Sequence, residues 1–111
     1  MEQADRFNEE KLQWSLVDFK SLEPLVQVLT YGTKKYSRNN WKKGLPPNKT
    51  CESLLRHIFA YMSGEDVDPE SNLSHIGHMM CNVMFLSYNA TNHPELEDRE
   101  INNITKKENN G

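Results

Sequence analysis

Three polar side chains share one narrow sector of an apolar stretch in the C-terminal half of the chain. Apolar residues recur at helical spacing from 73 to 90, and successive helical residues turn by about 100°. His75, His78 and Asn82 therefore fall on one face of a predicted helix. Burying such groups without partners would cost about 1–3 kcal/mol each. They must meet a ligand, a metal or other protein atoms, and a satisfied internal network is the structural alternative.

An acidic segment directly precedes this face. Four carboxylates lie within the six residues from 65 to 70. Oxygen ligands suit Mg²⁺ or Mn²⁺, and added imidazoles shift the preference toward Mn²⁺, Zn²⁺ or related ions. We predict a divalent metal, Mg²⁺ or Mn²⁺, as the cofactor. The predicted ligands are Glu65, Asp68, Glu70, His75 and His78. The alternative is a solvated turn whose acids complement the dipole of the following helix.

His57 lies about two helical turns before the acidic segment, on the preceding predicted helix. From that position it can face the third helix near Asn82. We therefore include His57 and the adjacent Arg56 in the predicted site.

The stretch from Tyr31 to Gly44 interleaves five cations with three aromatic side chains. Lysine and arginine bind phosphate, and an aromatic face stacks on a base with roughly 1–3 kcal/mol of stabilisation. This composition predicts a clamp for a small-molecule nucleotide. The predicted contacts are Lys34, Lys35, Tyr36, Asn40, Trp41, Arg56, His57 and Asn82. The alternative places the aromatics in the core and the lysines in solvent, and for Trp41 alone we favour that role, as the anchor of a loop.

Three helices must position these groups, and hydrophobic periodicity predicts them over residues 22–36, 51–63 and 73–90. The predicted N-caps are Ser21, Thr50, and either Asn72 or Ser74. Gly64 is a typical stop for the second helix. The third helix is apolar around most of its circumference and should be the central, buried element.

Turn formers, glycine and paired prolines predict an ordered loop over residues 37–50. The acidic residues 65–72 read as a short connector between antiparallel helices. We predict an all-α fold, a compact bundle of three main helices, with residues 1–91 as a single helical domain. Residues 92–111 form a polar tail that is flexible or contains a short peripheral helix, and the class of residues 1–20 stays open.

Composition disfavours several classes of partner. The net charge of -3 provides no cationic field for polymeric nucleic acid. The sequence has neither a signal peptide nor a run of ~18 apolar residues, which predicts a cytoplasmic protein without membrane contact. The hydrophobic content of 36% and mean hydropathy of -0.81 are low for a self-sufficient domain, so we predict a homo-oligomer. Cys51 and Cys81 lack C-x-x-C spacing and are predicted to be small buried thiols.

Three runs carry a family resemblance: LTYGTKKYSRNNWKKG, LLRHIFAYMSGEDVDPES and LSHIGHMMCNVMFL. The pattern within them is Tyr31-Gly32, Lys35-Tyr36, Asn40-Trp41, Gly44, Arg56-His57, Gly64-Glu65, Asp68-Pro69-Glu70, His75, His78 and Asn82. Over about residues 5–90 the chain resembles the phage-associated dATP/dGTP diphosphohydrolase N-terminal-type family, which is discussed alongside MazG-like nucleotide pyrophosphohydrolases.

The resemblance implies metal-dependent hydrolysis of a purine deoxynucleoside triphosphate between its α- and β-phosphates, giving the monophosphate and pyrophosphate. The implied catalytic residues are Glu65, Asp68, Glu70 and His78, one of which would orient or deprotonate the attacking water. The implied phosphate contacts are Lys34, Lys35 and Arg56. If the chain is phage-encoded, the expected compartment is the host cytoplasm.

The chain departs from MazG-like enzymes, which carry E-x-x-E and E-x-x-D pairs on helices. Glu65-x-x-Asp68 has the right letters but lies in a proline-containing turn, and Glu95-x-x-Asp98 lies in the polar tail.

Two other functions use the same residues differently. A non-catalytic phage protein that sequesters a nucleotide defence signal would need the cations and aromatics, but would gain nothing from carboxylates beside phosphate. A structural interaction module would keep His75, His78 and Asn82 as internal scaffolding.

Overall fold

The computed structural model describes residues 2–5 and 10–101 of the chain, and they are mostly helical. The three helices are α1 (Glu23–Gly32), α2 (Pro47–Met62) and α3 (His75–Asn92). A two-stranded antiparallel sheet, β1 (Val67–Asp68) and β2 (Leu73–Ser74), joins α2 to α3. Short 3-10 helices lie at Trp14–Leu16, Phe19–Leu22, Asn40–Lys43 and Pro94–Leu96. The predicted all-α fold is confirmed, and none of the helices in these residues is long and apolar enough to cross a membrane.

Helix α3 lies at the centre and packs against both α1 and α2, as predicted. Gly77 allows the close approach of α1, because a Cβ atom at this position would lie 2.5 Å from the carbonyl oxygen of Pro24. The buried surface of α3 is markedly polar: His75, Asn82 and Asn89 are all less than a tenth exposed. The partners of these buried polar groups therefore hold the bundle together.

Helix α1 ends four residues before the predicted boundary at 36. The backbone N–H groups of Lys35 and Tyr36 both donate to the carbonyl of Gly32, which closes a turn over residues 33–36. Ser21 does not cap the helix, because its hydroxyl donates to Asp18 in the preceding turn. The shortened helix leaves Lys35 and Tyr36 on a turn beside the site.

Helix α2 begins at Pro47, four residues before the predicted start at 51, so the preceding loop covers residues 33–46. The two prolines predicted a break, but proline suits the first helical position, where its missing N–H has no partner to lose. Thr50 lies inside the first turn, where its hydroxyl donates to the carbonyl of Pro46, and so is not the cap. Gly64, at φ 99°, follows the helix end, as predicted.

Helix α3 covers residues 75–92 rather than 73–90, because residues 73–74 pair with 67–68 as strands. The predicted acidic connector is thus a hairpin. Of the two predicted caps, Ser74 is the one used, and its hydroxyl accepts a hydrogen bond from the N–H of Gly77 at 3.2 Å. Asn72 instead lies in the hairpin turn with φ 60°.

The described part of the predicted tail contacts the loop before α2 and the first turn of α2. His93 Nε2 lies 2.7 Å from the carbonyl oxygen of Lys42, and Leu96 covers Gly44. Asp98 accepts a hydrogen bond from the backbone N–H of Asn48. The short peripheral helix expected as one alternative is Pro94–Leu96; residues 102–111 lie outside the described residues.

Both cysteines are free thiols. Cys81 is buried, as predicted, and burial raises its pKa to about 11. Cys51 is half-buried.

Candidate functional site

A cavity of about 1330 Å³ opens between α1, the loop after it, α2, the hairpin and α3. Small-molecule sites commonly occupy roughly 300–1,000 Å³, so this cavity is large enough for a nucleotide. It brings together every predicted site residue except Lys34. These residues are Lys35, Tyr36, Asn40, Trp41, Arg56, His57, Glu65, Asp68, Glu70, His75, His78 and Asn82.

Three side chains that line the cavity are joined in series by hydrogen bonds. Glu65 Oε1 lies 2.7 Å from His75 Nε2, and His75 Nδ1 lies 2.9 Å from His57 Nδ1. His75 is 3% exposed and begins α3, where its backbone N–H donates to the carbonyl of Asp66. The hairpin end, the start of α3 and the middle of α2 are thus joined through one buried imidazole.

His57 also stacks on His78 across the gap between α2 and α3. Their ring centroids are 4.4 Å apart and their planes differ by 1°. Burial lowers the pKa of His57 below its ordinary value, and the nearby charges of His78 and His75 lower it further. Burial also lowers the pKa of His78. Both rings are therefore neutral near pH 7.

A second hydrogen-bonded group links the hairpin to α3. The Ser71 hydroxyl donates to Asp68 Oδ2 at 3.0 Å and lies 2.7 Å from His78 Nε2. Because its single proton is used on Asp68, the His78 Nε2–H must donate to Ser71 Oγ. Burial alone would raise the pKa of Asp68, but hydrogen bonds from Ser71 and from the Glu70 N–H bring it below its ordinary value. Asp68 thus remains a carboxylate beside a neutral imidazole.

Three cations line the same cavity: Lys35, Arg38 and Arg56. Lys35 Nζ is 3.6 Å from Glu70 Oε1, and both side chains are largely exposed. Its pKa is raised, first by Tyr31 and then by Glu70. Arg56 and Arg38 line the cavity, and their guanidinium groups make no hydrogen bond or ion pair with any other described residue. These two guanidinium groups are therefore available to an anionic ligand.

Lys34 does not line the cavity. Its Nζ lies 6.0 Å from the centroid of the Tyr31 ring, on the surface of the turn after α1. The predicted phosphate contact at Lys34 is thus separated from the rest of the predicted set.

The two aromatic residues of the predicted clamp have different surroundings. Trp41 stacks on Phe85, with ring centroids 5.0 Å apart, and meets Tyr88 edge-on at 4.9 Å. It anchors the loop to α3, which is the role favoured for it above, while also lining the cavity. Tyr36 is 62% exposed, so its ring is the one free to stack on a base.

Asn82 links the two helices that form the back of the cavity. Its Nδ2 donates to Ser53 Oγ on α2 at 3.2 Å and to the carbonyl of His78 at 3.1 Å. The same face that carries His75 and His78 therefore also serves as internal scaffolding at Asn82.

The predicted metal ligands do not form a ready-made site. Within residues 2–5 and 10–101, no group of three or more His, Cys, Asp or Glu side chains is arranged to hold a metal ion. Glu65 pairs with His75, Asp68 with His78, and Glu70 with Lys35. A resident metal held by the protein alone does not fit this arrangement.

The residues that line the cavity outside the predicted site include Arg38, Ser53 and Ser71. Arg38 belongs to the cationic stretch after α1, and that stretch was the available signal. Ser71 and Ser53 show no sequence signal, because only the hairpin and the packing of α2 on α3 bring them to their histidine and asparagine partners.

Comparison with known proteins gives one matching family and one curated relative. Residues 1–99 match the family described as dATP/dGTP diphosphohydrolase, N-terminal. The chain is 32% identical over 94 residues to a dATP/dGTP diphosphohydrolase of Salmonella phage PMBT28, which covers 85% of this chain and 32% of the relative. It therefore spans about a third of that relative's length. No solved structure matches it.

Proposed function

The chain belongs to the dATP/dGTP diphosphohydrolase N-terminal family, and from this premise we propose that it hydrolyses a purine deoxynucleoside triphosphate to the monophosphate and pyrophosphate. The observation that carries the proposal is that one cavity is lined both by cations and by carboxylates with imidazoles. The guanidinium groups of Arg38 and Arg56 have no ion-pair partner among the described residues, and Asp68 and the neutral rings of His57 and His78 line the same cavity. Cations bind phosphate, whereas neutral bases act on water.

The cations that line the cavity are suited to the triphosphate. Arg56 and Arg38 are free to form paired hydrogen bonds with phosphate oxygens. Lys35 can exchange its exposed ion pair with Glu70 for a phosphate, because exposed pairs contribute only about 0–1 kcal/mol. The exposed ring of Tyr36 supplies a stacking surface for the purine.

A divalent ion, Mg²⁺ or Mn²⁺, fits this chemistry best as part of the substrate. Mg²⁺ is usually held by one or two carboxylates together with substrate phosphates, rather than by an all-protein cage. Asp68 and Glu70 face the cavity and would supply such carboxylate oxygens. The ion would neutralise phosphate charge as the bond breaks.

Hydrolysis also needs an acceptor for one proton of the attacking water. The predicted catalytic set Glu65, Asp68, Glu70 and His78 lies among the residues that line the cavity. These neutral rings and carboxylates line the same cavity as the proposed phosphate contacts, so a water held there beside the triphosphate would have a base within the same site.

The experiment is a panel of nucleotides incubated with the protein and Mg²⁺ or Mn²⁺, with products separated by chromatography. We expect dAMP or dGMP together with pyrophosphate. Release of orthophosphate would assign a different bond. Tight binding of a nucleotide with no turnover across the metal series would replace hydrolysis with the sequestering function.

A further inference from the structure

The direction of the hydrogen bonds from Glu65 to His57 follows from a neutral His75 ring. A carboxylate can only accept, so His75 Nε2, at 2.7 Å from Glu65 Oε1, must carry a hydrogen. In a neutral imidazole this is the single N–H, which leaves His75 Nδ1 as a bare acceptor. The proton in the 2.9 Å contact between the two Nδ1 atoms must then belong to His57.

This direction determines which nitrogen of His57 is left unprotonated. With its proton on Nδ1, the neutral ring of His57 has a free lone pair on Nε2. Nε2 makes no hydrogen bond to any of the described residues, yet these residues contain no buried side-chain nitrogen or oxygen without a partner. Nε2 is therefore accessible, on a residue that lines the cavity.

We propose that Glu65, His75 and His57 form a hydrogen-bond relay that presents His57 Nε2 to the cavity as the acceptor of a proton from the attacking water. The proposal rests on the hydrolytic function proposed above. His57 is the catalytic residue, and His75 and Glu65 are positioning residues. The parallel stack with His78 holds the His57 ring in its plane.

In the proposed step the water oxygen bonds to the α-phosphorus while one water proton moves to His57 Nε2. The bond between the α-phosphorus and the bridging oxygen breaks, and pyrophosphate leaves with that electron pair. When His57 becomes an imidazolium, the hydrogen bond from its Nδ1–H into His75 and Glu65 strengthens.

The relay assigns Glu65 and His75 a role different from the predicted metal ligation. Both nitrogens of His75 are already used, one toward Glu65 and one toward His57. His78 is the competing acceptor, since its Nε2–H donates to Ser71 and leaves Nδ1 free. Nδ1 of His78 is bonded to the ring carbon that carries Cβ, so this nitrogen is recessed toward α3. Nε2 of His57, by contrast, is at the outer edge of its ring.

The first test is independent of catalysis. Long-range ¹⁵N–¹H NMR spectra of the full chain without nucleotide report which ring nitrogen carries the proton. We expect Nδ1–H for His57 and Nε2–H for His75, and a loss of the Nδ1–H preference of His57 in Glu65→Ala. A dominant Nε2–H form of His57 in the wild type would overturn the relay even if hydrolysis is observed.

The second test is kinetic. General bases typically contribute about 10²–10⁴-fold, so His57→Ala should lower kcat at least ~100-fold, with nucleotide Kd nearly unchanged and partial rescue by added imidazole. Glu65→Ala should lower kcat less, and the exposed neighbour Asp66→Asn, which lies outside the cavity, is the matched control that keeps wild-type turnover.

A folded His57→Ala variant with wild-type kcat would overturn the assignment. So would a loss of turnover in His78→Ala that imidazole rescues while His57→Ala stays active. If the wild type hydrolyses no nucleotide, the proposed function fails, whereas the tautomers measured by NMR still decide whether the relay exists.

Discussion

The imidazole rings of His57 and His78 lie parallel to one another, 4.4 Å apart, and join α2 to α3 beside the cavity. Two protonated rings in this geometry would repel each other at close range. Burial already favours the neutral form of each ring. The stack is therefore a contact that depends on both imidazoles staying uncharged.

We expect the protein to lose stability in mild acid. The pKa values of His57 and His78 are lowered in the folded state, so below about pH 6.5 the unfolded chain takes up protons that the folded chain does not. This penalty is absent above that pH and grows as the pH falls. Thermal midpoints measured from neutral to acidic pH should decline, and the decline should be smaller in His57→Gln. An identical decline in both proteins would contradict the assignment.

Arg56 should contribute to nucleotide affinity. A hydrogen bond to a charged group contributes about 1.5–3 kcal/mol, so Arg56→Ala should raise the Kd for a purine triphosphate about tenfold or more. Lys49→Ala, which removes an exposed cation from the same helix outside the cavity, is the control for net charge. Equal effects of the two variants in calorimetric titrations would show that only overall charge matters.

Substitutions at Trp41 and Tyr36 should have different effects: the first on the free energy of unfolding, the second on nucleotide binding. Trp41→Ala removes the contacts with Phe85 and Tyr88, and should lower the free energy of unfolding by about 3 kcal/mol, the lower end of the range for a large aromatic. Tyr36→Ala should change stability little but weaken nucleotide binding by about 1–3 kcal/mol. Denaturant unfolding and titration on both variants test this, and a reversal of the two effects would refute it.

His93 should hold the end of α3 to the loop most firmly at low pH. Its ring faces Glu95 and the Lys42 carbonyl, and these hydrogen bonds raise its pKa in the folded state. The contribution is complete below the unfolded pKa of about 6.5 and is lost as pH rises through the folded pKa. The difference in thermal midpoint between the wild type and His93→Gln should therefore shrink with increasing pH. A constant difference would exclude the linkage.

A row of exposed apolar side chains on α2 favours the predicted homo-oligomer. Leu55, Phe59 and Met62 are spaced four and three residues apart, and are 47%, 65% and 76% exposed. Contiguous exposed apolar surface commonly marks an interface. We expect light scattering to detect an oligomer in the wild type and a smaller species in Phe59→Lys. A wild-type monomer at micromolar concentration would rule out self-association.

The number and order of the helices could be predicted from the sequence, and so could the shared face of α3, because both depend on local periodicity. The 100° turn per residue places His75, His78 and Asn82 on one face of α3, and all three line the cavity. The third helix was correctly predicted to be central, and it packs against both α1 and α2. Its apolar circumference is only partly buried, because Ile76 and Val83 are 41% and 53% exposed.

Features that depend on tertiary contacts could not be predicted from the sequence. The strands of the hairpin have two residues each, shorter than the four to eight or so residues over which alternation becomes visible. Ser71 acquires its role only because the hairpin returns the chain to His78. The bond between His57 and His75 spans two helices, and no spacing within either helix specifies it.

The length of the hairpin between α2 and α3 sets the positions of residues in the site. Its register sets Val67 opposite Ser74 and Asp68 opposite Leu73, with a turn of four residues between them. Surface loops usually tolerate insertions, but side chains alternate between faces along a strand, so one added residue would exchange the faces of β1 or β2. Asp68 would then turn away from His78. The position of Asp68 beside His78 therefore depends more on the length of this acidic segment than on its composition.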